Sequence, residues 1–177
     1  MKVFWEKGYE GSSLPELTEA MGMNRPSMYA VFGNKENLFK LALERYGATH
    51  DPLFDAALQQ PTARAVVENL LRANADAQTE EENPHGCLVI NGALACSDDA
   101  LPIRNSLIER RAAAEERLHE RFDRAKVEGD LPPDFCASQM ARYVMTVSNG
   151  MAVQAAAGAT RQQLQQVVDQ VLRGWPN

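Results

Sequence analysis

The chain has 177 residues, 45% of them apolar, and a net charge of −6, enough for one large domain or a small domain on a larger one. It holds no run of about 18 apolar residues that would span a membrane and no basic-then-apolar leader, so no membrane partner and a cytoplasmic location are expected. Three cysteines, an odd number without C-x-x-C spacing, provide neither a disulfide framework nor a structural zinc site, and neither metal nor cofactor is expected.

Residues 1 to 7 read as the last turns of a helix that Gly8 ends. Ser13 and Glu16 have capping-box spacing ahead of Leu14, Leu17 and Met21, which recur at helical intervals, and Gly22 can take the positive φ that closes that helix. A second short helix starts at Asn24 or Arg25. Pro26 suits its first turn, where no backbone N–H is needed, and Met28 with Phe32 supplies an inward face. The outward face carries Arg25, Ser27 and Tyr29, one guanidinium and two hydroxyls of the kind that base edges and phosphates accept. Taken alone, two short helices about a Gly turn fit a packing hairpin as well as a DNA reader.

Asn34 can cap a helix running from Lys35 through Leu38, Phe39, Ala42 and Tyr46, with Glu36 well placed against its N-terminal dipole. Gly47 or Asp51-Pro52 is expected to bend it before a continuation over Leu53, Phe54, Ala57 and Leu58. Val66, Val67, Leu70 and Leu71 mark the next helix, and Glu80 to Pro84 a loop. The segment from His85 to Cys96 is apolar enough to be buried in any conformation. A long charged helix follows from about Leu101, burying Ile103, Leu107, Ala114, Leu118, Phe122 and Ala125 and turning its Arg and Glu residues to water, until Gly129 and Pro132-Pro133 stop it. Two last helices, about Phe135 to Ala157 and Arg161 to Gly174, are separated by Gly158, and Thr160 with Gln163 forms a second capping box. The class is all-α, with about nine helices: a head over 1–46 and a larger helical body over 47–177.

The entry Phe4-Trp5-Glu6-Lys7-Gly8-Tyr9, the capped helix with its Gly22 turn, and the run Tyr29-Ala30-Val31-Phe32-Gly33-Asn34-Lys35-Glu36-Asn37-Leu38 together resemble the N-terminal domain of TetR-family transcriptional regulators. The resemblance covers roughly the first quarter of the chain. Family members have a longer first helix, so it implies residues upstream of Met1. It assigns Arg25 and Ser27 to base edges or nearby phosphates, and Tyr29 and Lys35 to phosphates. Ser13, at a helix N-terminus, can hold a further phosphate. Each also has a plainer reading: Ser13 as a cap, Lys35 as a solvated helix start, Tyr29 as a packing residue. Pro15 stands where the family can place a polar base-contacting residue, which leaves base reading to the helix near Arg25.

One head reads one half-site, so a double-stranded operator calls for two heads about 34–36 Å apart and hence a homodimer. The resemblance implies that the last two helices pair with their copies as a four-helix bundle. Met151, Ala155, Val167, Val168, Val171 and Leu172, with Ala152, Ala156 and Gly158 allowing close approach, are the candidate interface; the alternative is that they pack within the chain. The resemblance also implies a body that encloses a small-molecule effector. Phe54, Asn91, Met140, Tyr143 and Ser148 are aromatic, polar or soft residues on otherwise apolar helices and are the candidate ligand contacts. Gly86-Cys87-Leu88 resembles a position in a family branch that includes electrophile-sensing repressors, which makes Cys87 a candidate thiol sensor; nine residues away, Cys96 would lie on the opposite face of a shared helix and not bridge to it.

Residues 1 to 46 hold six cations and six carboxylates, so the acidity lies in the body. A neutral head binds phosphates if its cations share a face, while the acidic body is repelled from the duplex. His50, His85 and His119 lack metal-ligand spacing, and no nucleophile elbow, P-loop or dinucleotide fingerprint is present, so no enzyme is expected. The expected function is a transcriptional repressor, released from its operator by a small molecule. The rival is an all-helical dimeric ligand-binding protein that does not touch DNA.

Overall fold

The computed structural model describes residues 1–92 and 97–175. The expectation for Cys96 falls outside that range. Among the described residues there are nine α-helices and no strands. They are α1 (Lys2–Gly11), α2 (Leu14–Met21), α3 (Arg25–Phe32), α4 (Lys35–Leu58), α5 (Ala63–Gln78), α6 (Leu88–Asn91), α7 (Leu101–Val127), α8 (Ala137–Ala156) and α9 (Arg161–Arg173). No described helix is long and apolar enough to cross a membrane.

The helix boundaries follow from local chemistry. Ser13 and Glu16 make the reciprocal capping box, and Gly22 closes α2 in the left-handed region at φ 64°. Asn24 and Asn34 accept the backbone N–H groups of Ser27 and Asn37 at the starts of α3 and α4. Thr160 and Gln163 repeat the capping box on α9. Gly8, non-helical at φ 69°, ends the first run of turns in α1 as expected, and a short second run follows it across a kink as far as Gly11. A side chain there would also press on the Asn91 carbonyl of α6, 3.3 Å from an added Cβ.

The positions expected to bend α4 do not interrupt it. It continues through Gly47 and Pro52 to Leu58 as one helix of 24 residues. Pro52 costs one intrahelical hydrogen bond, but Tyr46, Ala57 and Leu58 are buried on either side of it and anchor both halves of the helix. The division expected between residues 46 and 47 thus falls inside a continuous rod.

Two apolar clusters lie along that rod. The first joins Phe4 and Trp5 of α1, Leu17 and Met28 of the two short helices, and Phe39, Leu43 and Tyr46 of α4, and it takes in Leu88, Ile103 and Leu107 from the body. Phe4 and Tyr46 anchor its aromatic contacts, edge-on to Phe39 at 5.0 Å and to Trp5 at 4.8 Å. The second fills the space between α5, α7, α8 and α9, around Leu71, Leu118, Phe122, Val144 and Leu164. Glu10 at the end of α1 accepts hydrogen bonds from the backbone and hydroxyl of Ser97, which further ties head to body.

The expectation that the Arg residues of α7 face water is overturned at Arg121. Its side chain is buried and donates to the carbonyls of Leu58 and Gln60, serving the C-terminal end of α4.

Candidate functional site

The outward surface of the head is built on α3. Met28 is its one fully buried residue, Phe32 is half-buried, and Arg25, Pro26, Ser27, Tyr29, Ala30 and Val31 are exposed. A helix so sparsely anchored is free to enter a groove with most of its circumference. Arg25 makes no ion pair among the described residues, whereas Lys7 pairs with Glu16 and Lys40 with Glu36. Tyr29 is 45% exposed and leaves its hydroxyl accessible. Pro26 and Ala30, each two residues from Met28, lie on the side away from the core. They form a small apolar crown flanked by Ser27 and Tyr29, which polarity-based reading of the sequence passes over.

Lys35 and Ser13 are less free than their sequence roles require. Lys35 is half-buried with its ammonium 4.7 Å from the centre of the Tyr9 ring, and burial lowers its pKa against the opposing pull of Glu10. Ser13 Oγ donates to Glu16 at 2.7 Å and caps the Glu16 N–H, so the carboxylate already occupies the α2 N-terminus where a phosphate was expected.

The side-chain hydrogen bond from Lys7, followed by those from Ser13, holds the Glu16 carboxyl at about 2 instead of its ordinary 4.5. A depressed carboxylate stabilises the fold above its unfolded value and loses that contribution as pH falls through the folded one. Acidification from about pH 4.5 towards 2 is therefore expected to fray α2, seen as faster amide exchange over Leu17 to Met21; in Glu16→Gln this dependence disappears. Ser13→Ala costs about 1 kcal/mol in urea melts at neutral pH.

The body holds a cavity of about 290 Å³, partly open to solvent, bounded by α4, α5, α6, α7 and α8. Phe54 and Ser148 reach it, as do Tyr46, His50, Asn74, Gln78 and Cys87. The other expected ligand contacts do not line it. Asn91 turns towards α1, its amide 3.4 Å from the Trp5 carbonyl; Tyr143 is 48% exposed on the outer face of α8; and Met140 packs half-buried against the body core. The wall also holds residues that looked like the solvated face of a charged helix: Arg110, Arg111 and Arg117 of α7. Arg110 grips both carboxylate oxygens of Asp51 at 2.8 and 2.6 Å, and Arg117 lies 5.1 Å from the Phe54 ring centre while pairing with Asp55. Asn74 donates to Ser148 Oγ at 2.8 Å.

Tyr46 and Cys87 meet at the head side of this cavity. The Tyr46 hydroxyl donates to Cys87 Sγ at 3.3 Å, and its ring stacks on His50 at 3.9 Å. Burial pushes the Tyr46 pKa far above its ordinary value, with the neighbouring Cys87 adding to it, so the phenol stays protonated and a donor.

Most of the candidate interface residues prove internal. Met151, Ala152, Ala155, Val168, Val171 and Leu172 are buried in the chain's own core, because that stripe of α9 packs on α5 and that face of α8 packs on α5 and α7. Of the set, Val167, Ala156 and Gly158 remain exposed. The outward face of α8 is instead Tyr143, Thr146, Gly150 and Val153, spaced by three and four and continued at the C-cap Ala157, with Val167 beside it on α9. A side chain added at Gly150 would meet nothing within 4 Å, and a shallow groove runs between Ala157, Gln163 and Val167.

Residues 1–42 match the family described as bacterial regulatory proteins, tetR family, and residues 61–171 match the tetracyclin repressor-like C-terminal domain. The chain is 33% identical to the HTH-type transcriptional repressor ComR of Escherichia coli, over 99% of this chain and 85% of that protein. It is 28% identical to the repressor BdcR of the same species, over 92% and 78%. A cysteine mutant of the TetR family transcriptional regulator CifR, solved with 26-bp double-strand operator DNA, superposes with a TM-score of 0.95 at 40% identity, covering 99% of this chain and 92% of that one. Both the head and the body are thus accounted for by one family, which sets aside the reading without DNA: the chain belongs to the TetR family, as a DNA-binding transcriptional regulator and not an enzyme.

Proposed function

We propose that this chain is a homodimeric repressor, working in the cytoplasm, that holds a palindromic operator when its cavity is empty and leaves it when a small-molecule effector fills that cavity. The observation that carries this reading is the continuity of α4. One rod begins beneath α3 at Lys35 and ends beyond Phe54 in the cavity wall, so an occupant that displaces its far half tilts the head. α6 offers a second connection: Cys87, Val89 and Ile90 line the cavity, while Asn91 and Gly92 press on Gly8 and Trp5 of α1. Arg25, Ser27 and Tyr29 contact the operator; Lys35, held over the Tyr9 ring, reaches a phosphate only by leaving that ring, and Ser13 contributes chiefly as the cap that orients α2. Each protomer offers Val153, Ala157 and Val167 to a second copy, which sets two heads at the half-site spacing.

The test is titration of a palindromic fragment from the gene's own promoter at several salt concentrations. Specific binding with a steep negative salt slope is expected, and its reversal by a small molecule that stabilises the free protein. Absence of both palindrome binding and salt slope at low ionic strength would refute the operator role.

Cys87 supports a second mode of release. Its thiol borders the cavity and faces a hydroxyl donor, an arrangement that favours attack on an electrophile admitted there. Intact-mass analysis after exposure to a Michaelis acceptor, with Cys87→Ser as control, checks it: one adduct coupled to operator release is expected, and release that persists in the variant excludes the role.

A further inference from the structure

We propose that the effector is a small organic anion, a carboxylic acid on an apolar skeleton that also carries a hydroxyl or amino donor, and that Arg111 binds its carboxylate. The inference rests on the reading of the cavity as the effector site and adds the chemistry that selects the occupant.

The charge of the wall is the first ground. Three guanidiniums line the cavity against one carboxylate, Asp51. Arg110 is satisfied by Asp51, and Arg117 by Asp55 and the face of Phe54. Arg111 differs from both. It is half-buried, its one hydrogen bond goes to the Val89 carbonyl at 3.0 Å, and it makes no ion pair among the described residues. A guanidinium has five N–H donors in a fixed fork. Half-buried with one neutral acceptor, it keeps donors free for a carboxylate, whose geometry the fork matches. Arg110 and Asp51 form an arginine–carboxylate pair in the same wall, made through one guanidinium nitrogen.

Gln78 is the second ground. It is 7% exposed, it lines the cavity from α5, and its Oε1 is buried without a hydrogen-bond partner among the described residues. A buried acceptor left unpaired is costly, so this amide oxygen calls for a donor on whatever fills the space. Phe54, Ala77, Val89, Ile90 and Met145 supply the apolar part of the lining, among further polar groups of His50, Asn74, Ser148 and Asn149. A volume of about 290 Å³ sits at the lower end of ligand pockets, roughly 300–1,000 Å³. Anion at one anchor, donor at another and an apolar body of modest size describe hydroxylated or amino-bearing aromatic and short aliphatic acids. A cation would meet the excess of guanidinium charge and is excluded.

The experiment uses the full-length protein and matched pairs of acids and neutral amides, such as 4-hydroxybenzoate with 4-hydroxybenzamide and 3-phenylpropanoate with its amide, read by calorimetric titration. At least one acid is expected to bind about tenfold or more tightly than its amide, the size of effect a charge-assisted hydrogen bond supplies. Arg111→Gln removes that preference and Arg111→Lys, which keeps the charge, retains part of it. Removing the hydroxyl from the acid weakens binding in wild type but not in Gln78→Leu. Amides that bind as tightly as their acids, or an acid preference that survives Arg111→Gln, would overturn the anion proposal while leaving the cavity as the effector site. Total indifference to acids and amides alike would overturn the effector reading together with it. Should Arg111→Gln fail to fold, the acid–amide ratio of wild type and of Arg111→Lys still decides.

Discussion

Replacing Arg25 with Ala is expected to lower operator affinity on the order of 10²- to 10⁴-fold while leaving the fold and the dimer intact. The side chain is exposed on the first turn of α3, makes no ion pair among the described residues and buries nothing, so its removal has no route to the core. A specific base contact is worth about 1–3 kcal/mol, and a twofold-symmetric dimer loses it at both half-sites. Salt titration separates the two roles open to the guanidinium. If Arg25 reads a base edge, specific affinity collapses while binding to unrelated DNA barely changes; if it holds a phosphate, both weaken and the salt slope falls by about one per site. Tyr29→Phe, which deletes only the hydroxyl, gives a smaller loss than Arg25→Ala. An Arg25→Ala protein that gel-shifts the operator at wild-type strength would remove α3 from its assigned role.

The helix caps, in head and body alike, were legible because they are local. A cap is an i to i+3 hydrogen bond between a short polar side chain and a backbone N–H, and Ser13, Asn34 and Thr160 each make the bond their spacing implies. The body was legible only as helices. The cavity draws Tyr46, Gln78, Arg111 and Ser148 from four helices, and no periodicity relates positions so far apart in the chain. Phe54 and Ser148 reach the cavity, but Asn91, whose amide needs a partner in an apolar segment, finds it in the Trp5 carbonyl instead. The arginines of α7 were missed for the opposite reason. On a helix of mixed charge every Arg looks solvated, and only packing against Asp51 and Val89 distinguishes Arg110 and Arg111 from their neighbours. Gly47 and Pro52 are breakers by propensity, yet α4 runs through both, with buried residues on either side of them.

The same ambiguity decides how the dimer must be tested. α8 is apolar or small around much of its circumference, and α9 carries one strong apolar stripe. The strong stripe, Leu164, Val168, Val171 and Leu172, closes the chain's own core and is spent there. The weaker outer face is what remains for a partner: Val153 at 43% and Val167 at 41% exposure, beside Gly150 and Ala157, which permit close approach. Val153→Glu with Val167→Glu places two charges on that face in each protomer and four across the twofold axis. Sedimentation is expected to show a folded monomer, because neither site contributes to the core. Operator affinity should then fall by about 10²–10⁴-fold, the advantage of presenting two heads at once, while the weak binding of a single half-site persists. Leu164→Ala makes the contrast. Buried to 1% exposure, it should cost about 2–5 kcal/mol of folding stability and leave association of the folded fraction unchanged. A double mutant that remains dimeric would place the interface elsewhere on the body; one that unfolds would show that α8 and α9 need each other's outer faces to stay folded.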